Sequence, residues 1–176
     1  TEGGGLFLYN PQTGTIKNYS HTSKTANCIS SDYVRSLALD SQHRLWIGTI
    51  NSLNIYNEQE DNFNIYTSDP LENGSLSQTS VRNIFMDTQG GMWLGTYFGG
   101  INYYHPLKNR FRNLQFTAKP NSLNSNIINC IREDAQKGLW IGTNGGGVNY
   151  YNPQTGKFTH YTQKEGLGSN DVKAIY

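Results

Sequence analysis

The sequence predicts an all-β fold, a segment of a β-propeller made of four-stranded antiparallel blades. The first observation behind this is a repeated pentapeptide, Leu/Met-Trp-Ile/Leu-Gly-Thr, around Trp46, Trp93 and Trp140 at a spacing of 47 residues. A period of about 40–50 residues is typical of propeller blades. The second is composition, because 12 tyrosines and 7 phenylalanines favour strands and 19 glycines favour turns. The chain of 176 residues holds about 3.7 repeats.

Each repeat predicts four short strands, which we name a to d in chain order. Each run is short, apolar or β-branched, and bounded by Gly, Pro, Asn or Asp, as strands are. Strand a is predicted at 34–39, 81–86, 128–132 and 172–176. Strand b is the tryptophan pentapeptide, at 45–49, 92–96 and 139–143. Strand c is predicted at 6–9, 53–56, 101–104 and 148–151. Strand d is predicted at 16–19, 63–66, 111–116 and 158–161.

These strands define a single partial propeller over residues 1–176. Its parts are a blade portion at 1–19, complete blades at 34–66, 81–116 and 128–161, and strand a of a next blade at 172–176. Each sheet is apolar on both faces, and stacking sheets radially buries both. A β-sandwich is the alternative, but its strands need no strict period. Residues 1–19 match 143–161 in register, so we expect a piece of a larger propeller, cut within a blade.

The connections between strands have different expected roles. The Gly-rich b–c connections, such as 145–147, predict tight turns rather than phosphate sites, since they precede strands and not helices. Asp40, Asp87 and Asp134 close strand a in each blade. They are expected to accept hydrogen bonds in the a–b turn, and the alternative is a calcium ligand or an acid. The d–a connection, such as 67–79, is predicted to carry no repeat constraint.

Composition excludes several classes of function. The net charge is +1, which does not favour a nucleic-acid partner. No run of 18 apolar residues predicts a membrane span, and we expect no direct membrane contact. Cys28 and Cys130 fall at non-equivalent repeat positions, so free thiols are expected rather than a disulfide framework. No catalytic or metal-binding motif is present, so we expect no cofactor, no metal and no enzymatic activity in this segment.

The repeat resembles a known family, the two-component regulator propeller. The resemblance rests on Ser-Val-Arg-Asn-Ile-Phe-Met-Asp at 80–87, Gly-Met-Trp-Leu-Gly-Thr at 91–96 and Gly-Gly-Ile-Asn-Tyr-Tyr at 99–104, with similar copies at 32–56 and 126–151. It implies the periplasmic sensor region of a hybrid histidine kinase that recognises an oligosaccharide. Two departures are the missing glycine pair after Thr49 and the Ile128-Asn129 pair, where other blades have Val-Arg or Val-Lys.

Binding residues are predicted where the b–c and d–a connections share one end of the blades. Aromatic rings stack on sugar faces, and Asn or Arg side chains bind hydroxyl groups or a carboxylate. The predicted ligand-binding residues are Glu2, Tyr33, Arg35, Asn51, Arg82, Tyr97, Phe98, Asn144 and Lys173. The alternative is that these are ordinary solvated loop residues, with Arg35 and Arg82 paired to acids between blades.

Three functions remain open from the sequence alone. The first is a non-catalytic ligand sensor, the second a propeller lyase or hydrolase, and the third a purely structural set of blades. As partners we expect the remaining blades of a parent protein or a second copy of this chain, because end sheets expose apolar faces, together with an oligosaccharide ligand.

Overall fold

The computed structural model describes residues 2–22, 28–72, 74–105 and 111–176, and its fold is the predicted all-β propeller architecture. A two-stranded sheet is followed by three four-stranded antiparallel sheets, each with its strands in chain order. The first strand of each four-stranded sheet lies against the first strand of the next. Residues 106–110, which connect the predicted strands c and d of the second complete blade, lie outside the described residues.

The strands group into four blades. Blade 1 consists of β1 (Leu6–Tyr9) and β2 (Ile16–Tyr19). Blade 2 consists of β3 (Val34–Leu39), β4 (Leu45–Thr49), β5 (Leu53–Asn57) and β6 (Asn62–Tyr66). Blade 3 consists of β7 (Val81–Met86), β8 (Met92–Thr96), β9 (Ile101–Tyr104) and β10 (Phe111–Leu114). Blade 4 consists of β11 (Ile128–Glu133), β12 (Leu139–Thr143), β13 (Val148–Asn152) and β14 (Lys157–Tyr161), followed by a short 3-10 helix, Gln163–Glu165.

The hydrophobic cores lie between blades, as the apolar faces predict. Trp46 of blade 2 packs with Val81 and Met92 of blade 3. Trp93 of blade 3 packs with Ile131 and Tyr151 of blade 4. Both tryptophans are almost fully buried. Trp140 is half-buried, since no further sheet of the described chain packs on that side of blade 4.

The glycine of each strand b allows the next blade to approach closely. A side chain on Gly48 would meet Val81 at 2.9 Å, and one on Gly95 would meet Ile128 at 2.6 Å. Real Cβ atoms do not approach this closely, so a larger residue would push the blades apart. The repeated Gly therefore sets the spacing between blades.

The aspartate after each strand a does two structural jobs. Asp87 accepts the backbone N–H groups of Gln89 at 2.9 Å and Gly91 at 2.7 Å, which closes the a–b turn. Its second oxygen accepts the indole N–H of Trp93 at 2.7 Å. Asp40 and Asp134 make the same contacts in their blades. The predicted turn role is confirmed, and the bond to the tryptophan of the same blade adds a second role.

The prediction that the d–a connection carries no repeat constraint is wrong. Ile29, Leu76 and Leu123 are buried at equivalent positions in successive connections, each a few residues before strand a. A buried strand-c asparagine also fixes each connection. Asn102, for example, accepts the backbone N–H of Ser77 at 2.8 Å. Asn54 and Asn149 do the same in blades 2 and 4. A connection can vary in length at its tip while its last residues stay anchored.

The predicted strand at 172–176 does not form in the structure. The backbone N–H of Val172 donates to Thr143 at 2.9 Å, and the Val172 side chain lies against Gly142 as Ile128 lies against Gly95. A strand needs a neighbouring strand to pair with, and the described chain supplies none beyond this segment. The segment lies where the first strand of a further blade would lie, but it does not form the backbone hydrogen bonds of a strand. Predicted strand d at 111–116 also ends earlier, at Leu114.

The glycine-rich b–c connections form tight turns, as predicted. Gly100 and Gly147 both have positive φ, 74° and 72°. A side chain at either position would lie 2.2 Å from the backbone oxygen of the last residue of strand d. Only glycine satisfies both requirements.

Candidate ligand-binding face

The predicted binding residues lie at one end of the blades, which we call the loop face. It comprises the b–c turns at 50–52, 97–100 and 144–147 and the ends of the d–a connections at 28–33, 74–80 and 122–127. These segments meet because strand a begins opposite the end of strand b. Val81 pairs with Thr96, for example, and Ile128 pairs with Thr143. The a–b and c–d turns lie at the other end, which we call the turn face.

A β-bulge interrupts the start of strand a in blades 2, 3 and 4. The residue outside the ladder is Arg35, Arg82 or Asn129, respectively. Bulges redirect a side chain and are common next to functional sites. The second residue of strand a is therefore set apart from the sheet at the loop face.

Blade 3 carries an exposed aromatic cluster on the loop face, formed by Arg82, Tyr97 and Phe98. The ring centroids of Tyr97 and Phe98 are 4.2 Å apart, and the Arg82 guanidinium lies 5.2 Å from the Tyr97 ring centroid. Tyr97 is 42% exposed and Phe98 is 56% exposed. Gln78 of the d–a connection accepts the Phe98 backbone N–H at 2.9 Å. The cluster is thus fixed by its backbone while its rings stay accessible.

Tyr33 and Glu2 form a second group, at the junction of blades 1 and 2. They pair as an isolated antiparallel bridge, and the Tyr33 carbonyl also accepts the N–H of Ile50 at 3.3 Å. The Tyr33 ring lies over Gly3. Tyr33 is 49% exposed, so it offers another accessible ring on the same face.

The remaining predicted residues are less organised. The Asn51 side chain donates to the Ser30 carbonyl at 3.4 Å, and the Asn144 carbonyl accepts from the Ser125 hydroxyl at 2.8 Å. Arg35 and Lys173 are exposed. Among the described residues neither Arg35 nor Arg82 forms an ion pair with an acid, so the predicted alternative of charge pairing between blades does not appear. The structure brings together Arg82 with Tyr97 and Phe98, and Glu2 with Tyr33.

The turn face carries features that the sequence did not single out. Between blades 1 and 2, Asp61 accepts hydrogen bonds from the Tyr19 hydroxyl at 2.6 Å, from the Tyr56 hydroxyl at 2.8 Å and from the Lys17 ammonium group. We call these four residues the Asp61 cluster. The Lys17 bond contributes most to a lowered pKa of Asp61, and the two hydroxyls lower it further. Burial, followed by the bonds to Tyr19 and Asp61, raises the pKa of Tyr56.

Between blades 3 and 4 the turn face instead holds an open cavity of about 320 Å³, which we call the 3–4 groove. Its walls include Trp93, Tyr103 and Arg112 of blade 3 and Tyr151 and Lys137 of blade 4. Burial, followed by the nearby Asp87 charge, raises the pKa of Tyr103.

Two of the tryptophan-bound aspartates, Asp40 and Asp134, have lowered pKa values. Burial raises the pKa of Asp40, but hydrogen bonds from Trp46 and from the Arg44 and Gln42 backbone more than offset this and leave it lowered. Burial also raises the pKa of Asp134, but hydrogen bonds from the Gly138 backbone and the Trp140 indole outweigh this effect and lower it. Each carboxylate accepts protein donors on both of its oxygens, which fits the turn role better than a free acid.

Comparison with known proteins identifies the repeat. The two-component regulator propeller family matches residues 28–51, 75–98 and 122–145. Each match covers the anchored end of a d–a connection, strands a and b, and the first residues of the b–c turn. The chain therefore contains three copies of the two-component regulator propeller repeat.

Solved structures agree with the match to the two-component regulator propeller repeat. The propeller is similar to the extracellular domain of a hybrid two-component system from B. thetaiotaomicron, with 28% identity, a TM-score of 0.77, and coverage of 83% of this chain and 21% of that one. A second such domain from that organism has 25% identity and a TM-score of 0.77, and the match covers 95% of this chain and 24% of that one. This chain therefore spans about a quarter or less of these structures. No curated protein matches the chain significantly.

Further features of the propeller bear on its chemistry. Cys28 and Cys130 are free thiols, as predicted. Within residues 2–22, 28–72, 74–105 and 111–176, no group of three or more His, Cys, Asp or Glu side chains is placed to hold a metal ion. None of the described helical structure has the length and apolar character needed to cross a membrane.

Proposed function

We propose that this chain is part of the periplasmic sensor region of a two-component signalling protein and binds an oligosaccharide without catalysis. The observation that carries the proposal is the aromatic cluster on the loop face. Two accessible rings at 4.2 Å, beside a guanidinium group, are not required to bury a core. Exposed aromatics with a few adjacent polar groups are what carbohydrate and cofactor sites use. The family and its extracellular neighbours support the sensor role.

The position of the cluster supports a binding role over a structural one. The equivalent positions in the other blades are Ile50 with Asn51, and Asn144 with Gly145. The residue types and the turn backbone differ between blades, since Gly145 has a φ of 80° and Phe98 does not have a positive φ, so the repeat does not require an aromatic pair at these positions. The Arg82 guanidinium adds a donor for a sugar hydroxyl or a uronate carboxylate.

Signal transmission would follow from packing between sheets. The loop face is built from d–a connections whose buried anchors, such as Leu76 and Leu123, sit in the cores between blades. A ligand that binds one arrangement of these connections better than another would shift the balance between arrangements of packed blades. The exposed apolar side chains Phe7, Leu8 and Ile16 of blade 1 would be covered by further blades of a parent protein or by a second copy.

Calorimetric titration with neutral and uronate-bearing oligosaccharides tests the proposal. We expect Tyr97→Ala and Phe98→Ala each to weaken binding by about tenfold, because each removes an aromatic ring on which a sugar can stack, and removing such a ring costs roughly 1–3 kcal/mol where the stacked group is a nucleobase. Arg82→Gln should weaken binding of a uronate-bearing oligosaccharide more than that of a neutral one.

Tyr9→Ala is a matched control, since Tyr9 is a 60% exposed aromatic on β1, away from the cluster. It should leave affinity unchanged. If no oligosaccharide binds, or if Tyr9→Ala weakens binding as much as Tyr97→Ala does, the loop-face proposal fails and a purely structural role for these blades is favoured.

A further inference from the structure

The 3–4 groove on the turn face is lined by a tyrosine whose hydroxyl has no hydrogen-bond partner among the described residues. Tyr151 is only 3% exposed and lines the groove. Its ring packs on Trp93 and Phe158. Its hydroxyl forms no hydrogen bond within the described chain and is not among the polar atoms buried without a partner, so it is open to the groove and can donate to a bound molecule.

The same groove contains an unpaired cation. Arg112, on β10, lines the cavity and makes no hydrogen bond or ion pair with any described residue. The other charged groups of the lining have partners. Glu133 accepts the N–H and the hydroxyl of Thr88, and Lys137 donates to that hydroxyl. Asp87 is occupied by its turn and by Trp93. Arg112, which is exposed, is therefore the charged side chain of the described groove lining that has no polar partner.

The junction of blades 1 and 2 shows what a cation and a tyrosine hydroxyl bind at the positions equivalent to Arg112 and Tyr151. Lys17 pairs with Leu8 across its blade as Arg112 pairs with Tyr103 across its own, so Lys17 and Arg112 are equivalent. Tyr56 faces Phe63 in blade 2 as Tyr151 faces Phe158 in blade 4. At the first junction, both the cation and the hydroxyl donate to one carboxylate.

That carboxylate is Asp61, whose counterpart in blade 4 is a glycine. Asp61 and Gly156 both precede the first residue of strand d, and both have positive φ, 53° and 68°. Gly156 has open space where a side chain would begin. The 3–4 groove thus keeps equivalents of two of the three donors of the Asp61 cluster, Lys17 and Tyr56, and lacks the acceptor.

We propose that the 3–4 groove is a second ligand site, which binds a small molecule whose carboxylate takes the place of the Asp61 side chain between Arg112 and Tyr151. The body of the ligand is a single six-membered ring, since the groove of about 320 Å³ is at the small end of ligand sites. Tyr103, Leu114 and Leu139 provide apolar surface beside the donors. This site does not rest on the function proposed for the loop face, which lies at the opposite end of the strands.

Two pairs of probes test the chemistry in titrations followed by NMR. Benzoate and glucuronate carry a carboxylate on an aromatic and on a sugar ring, and benzamide and glucose are their neutral counterparts. We expect millimolar binding of at least one carboxylate and at least tenfold weaker binding of its neutral counterpart. Which carboxylate binds better distinguishes an aromatic acid from a uronate. Equal binding of the acid and its neutral counterpart, or no binding of either acid, overturns the proposal.

Variants locate the binding. Arg112→Gln should weaken carboxylate binding about tenfold, and Tyr151→Phe about fivefold, since a hydrogen bond to a charged group is lost in each case. Gly156→Asp should abolish binding, because the new side chain would occupy the donors as Asp61 does. Unchanged affinity in Gly156→Asp overturns the proposal.

Gly14→Asp is the matched control for Gly156→Asp. Gly14 occupies the same turn position in blade 1, has the same φ of 68° and has equally open surroundings. It therefore carries the same backbone cost without reaching the groove. It should bind carboxylates as the wild type does, and near-ultraviolet circular dichroism of both variants checks that each is folded. Equal loss of binding in the two variants contradicts a local carboxylate site.

Discussion

The junction of blades 1 and 2 and the junction of blades 3 and 4 share one backbone design but differ in how the turn face is closed. At the first junction Asp61 satisfies Lys17, Tyr19 and Tyr56. At the second, glycine stands at the position of Asp61, leucine at that of Tyr19, and a cavity remains. A repeat fixes where side chains meet, and the residue type at a few turn positions decides whether the protein seals the junction or leaves donors for a ligand.

The largest expected effect concerns the cores on which both junctions depend. Trp93→Ala should lower the free energy of unfolding by about 3–5 kcal/mol, because it opens a cavity in the core between blades 3 and 4 and removes a donor to Asp87. Trp140→Ala should cost clearly less, since Trp140 is half-buried. Urea unfolding of both variants measures the difference. Equal losses would show that the core between blades does not carry the stability assigned to it.

The next effect is a pH dependence of stability, which we expect at the junction of blades 1 and 2, where Asp61 is present, and not at the junction of blades 3 and 4. The pKa of Asp61 is lowered on folding, so its ionised form stabilises the native state at pH values above the unfolded-state pKa of about 3.9. This contribution is lost progressively as the pH falls from there through the lower pKa of the folded state. Asp61→Asn should therefore be less stable than wild type at pH 7, and the difference should shrink below about pH 3.9.

Unfolding of Asp61→Asn and wild type at several pH values between neutral and acid measures this trend. Glu58→Gln is the control, because Glu58 lies in the same turn and makes no contact with the Asp61 cluster among the described residues. A stability difference for Asp61→Asn that stays constant with pH would mean that the carboxylate charge does not hold the junction.

The smallest effect compares the two equivalent tyrosines. Tyr56→Phe should cost about 1 kcal/mol, because its hydroxyl bonds both Tyr19 and Asp61. Tyr151→Phe should cost close to nothing, because the hydroxyl that it removes makes no hydrogen bond in the described chain. Thermal unfolding of the two single variants gives the comparison directly. A cost for Tyr151→Phe equal to that of Tyr56→Phe would contradict the difference between the junctions.

Much of the fold could be predicted from local sequence. The 47-residue period placed the strands within one or two residues, and the recurrence of Asp87 and its equivalents indicated a turn role. The role of Asp87 as acceptor for Trp93 was missed, because it depends on how the two strands face each other across the turn. The prediction of a strand at 172–176 was wrong, because an apolar run forms a strand only where a partner strand is present to pair with it.

The candidate sites were harder to predict. Tyr97 and Phe98 could be named because they follow the strand-b threonine at loop positions that vary between blades, and Arg82 because a basic residue recurs at the second position of strand a. Asp61 and the buried anchor Leu76 could not, because their partners lie in another blade or in another strand, and sequence alone does not give those distances. One signal for Asp61 was available in the sequence. It stands at a turn position where blades 1 and 4 have Gly14 and Gly156, and an aspartate in place of a positive-φ glycine indicates that its side chain makes a specific contact.

The most direct test of the account is a titration of the isotopically labelled chain with a neutral oligosaccharide and with one bearing a uronate, followed residue by residue by NMR. We predict that both ligands shift the backbone signals of Tyr97 and Phe98 on the loop face. Binding that leaves Tyr97 and Phe98 unperturbed with both ligands would contradict the loop face as the sensing surface.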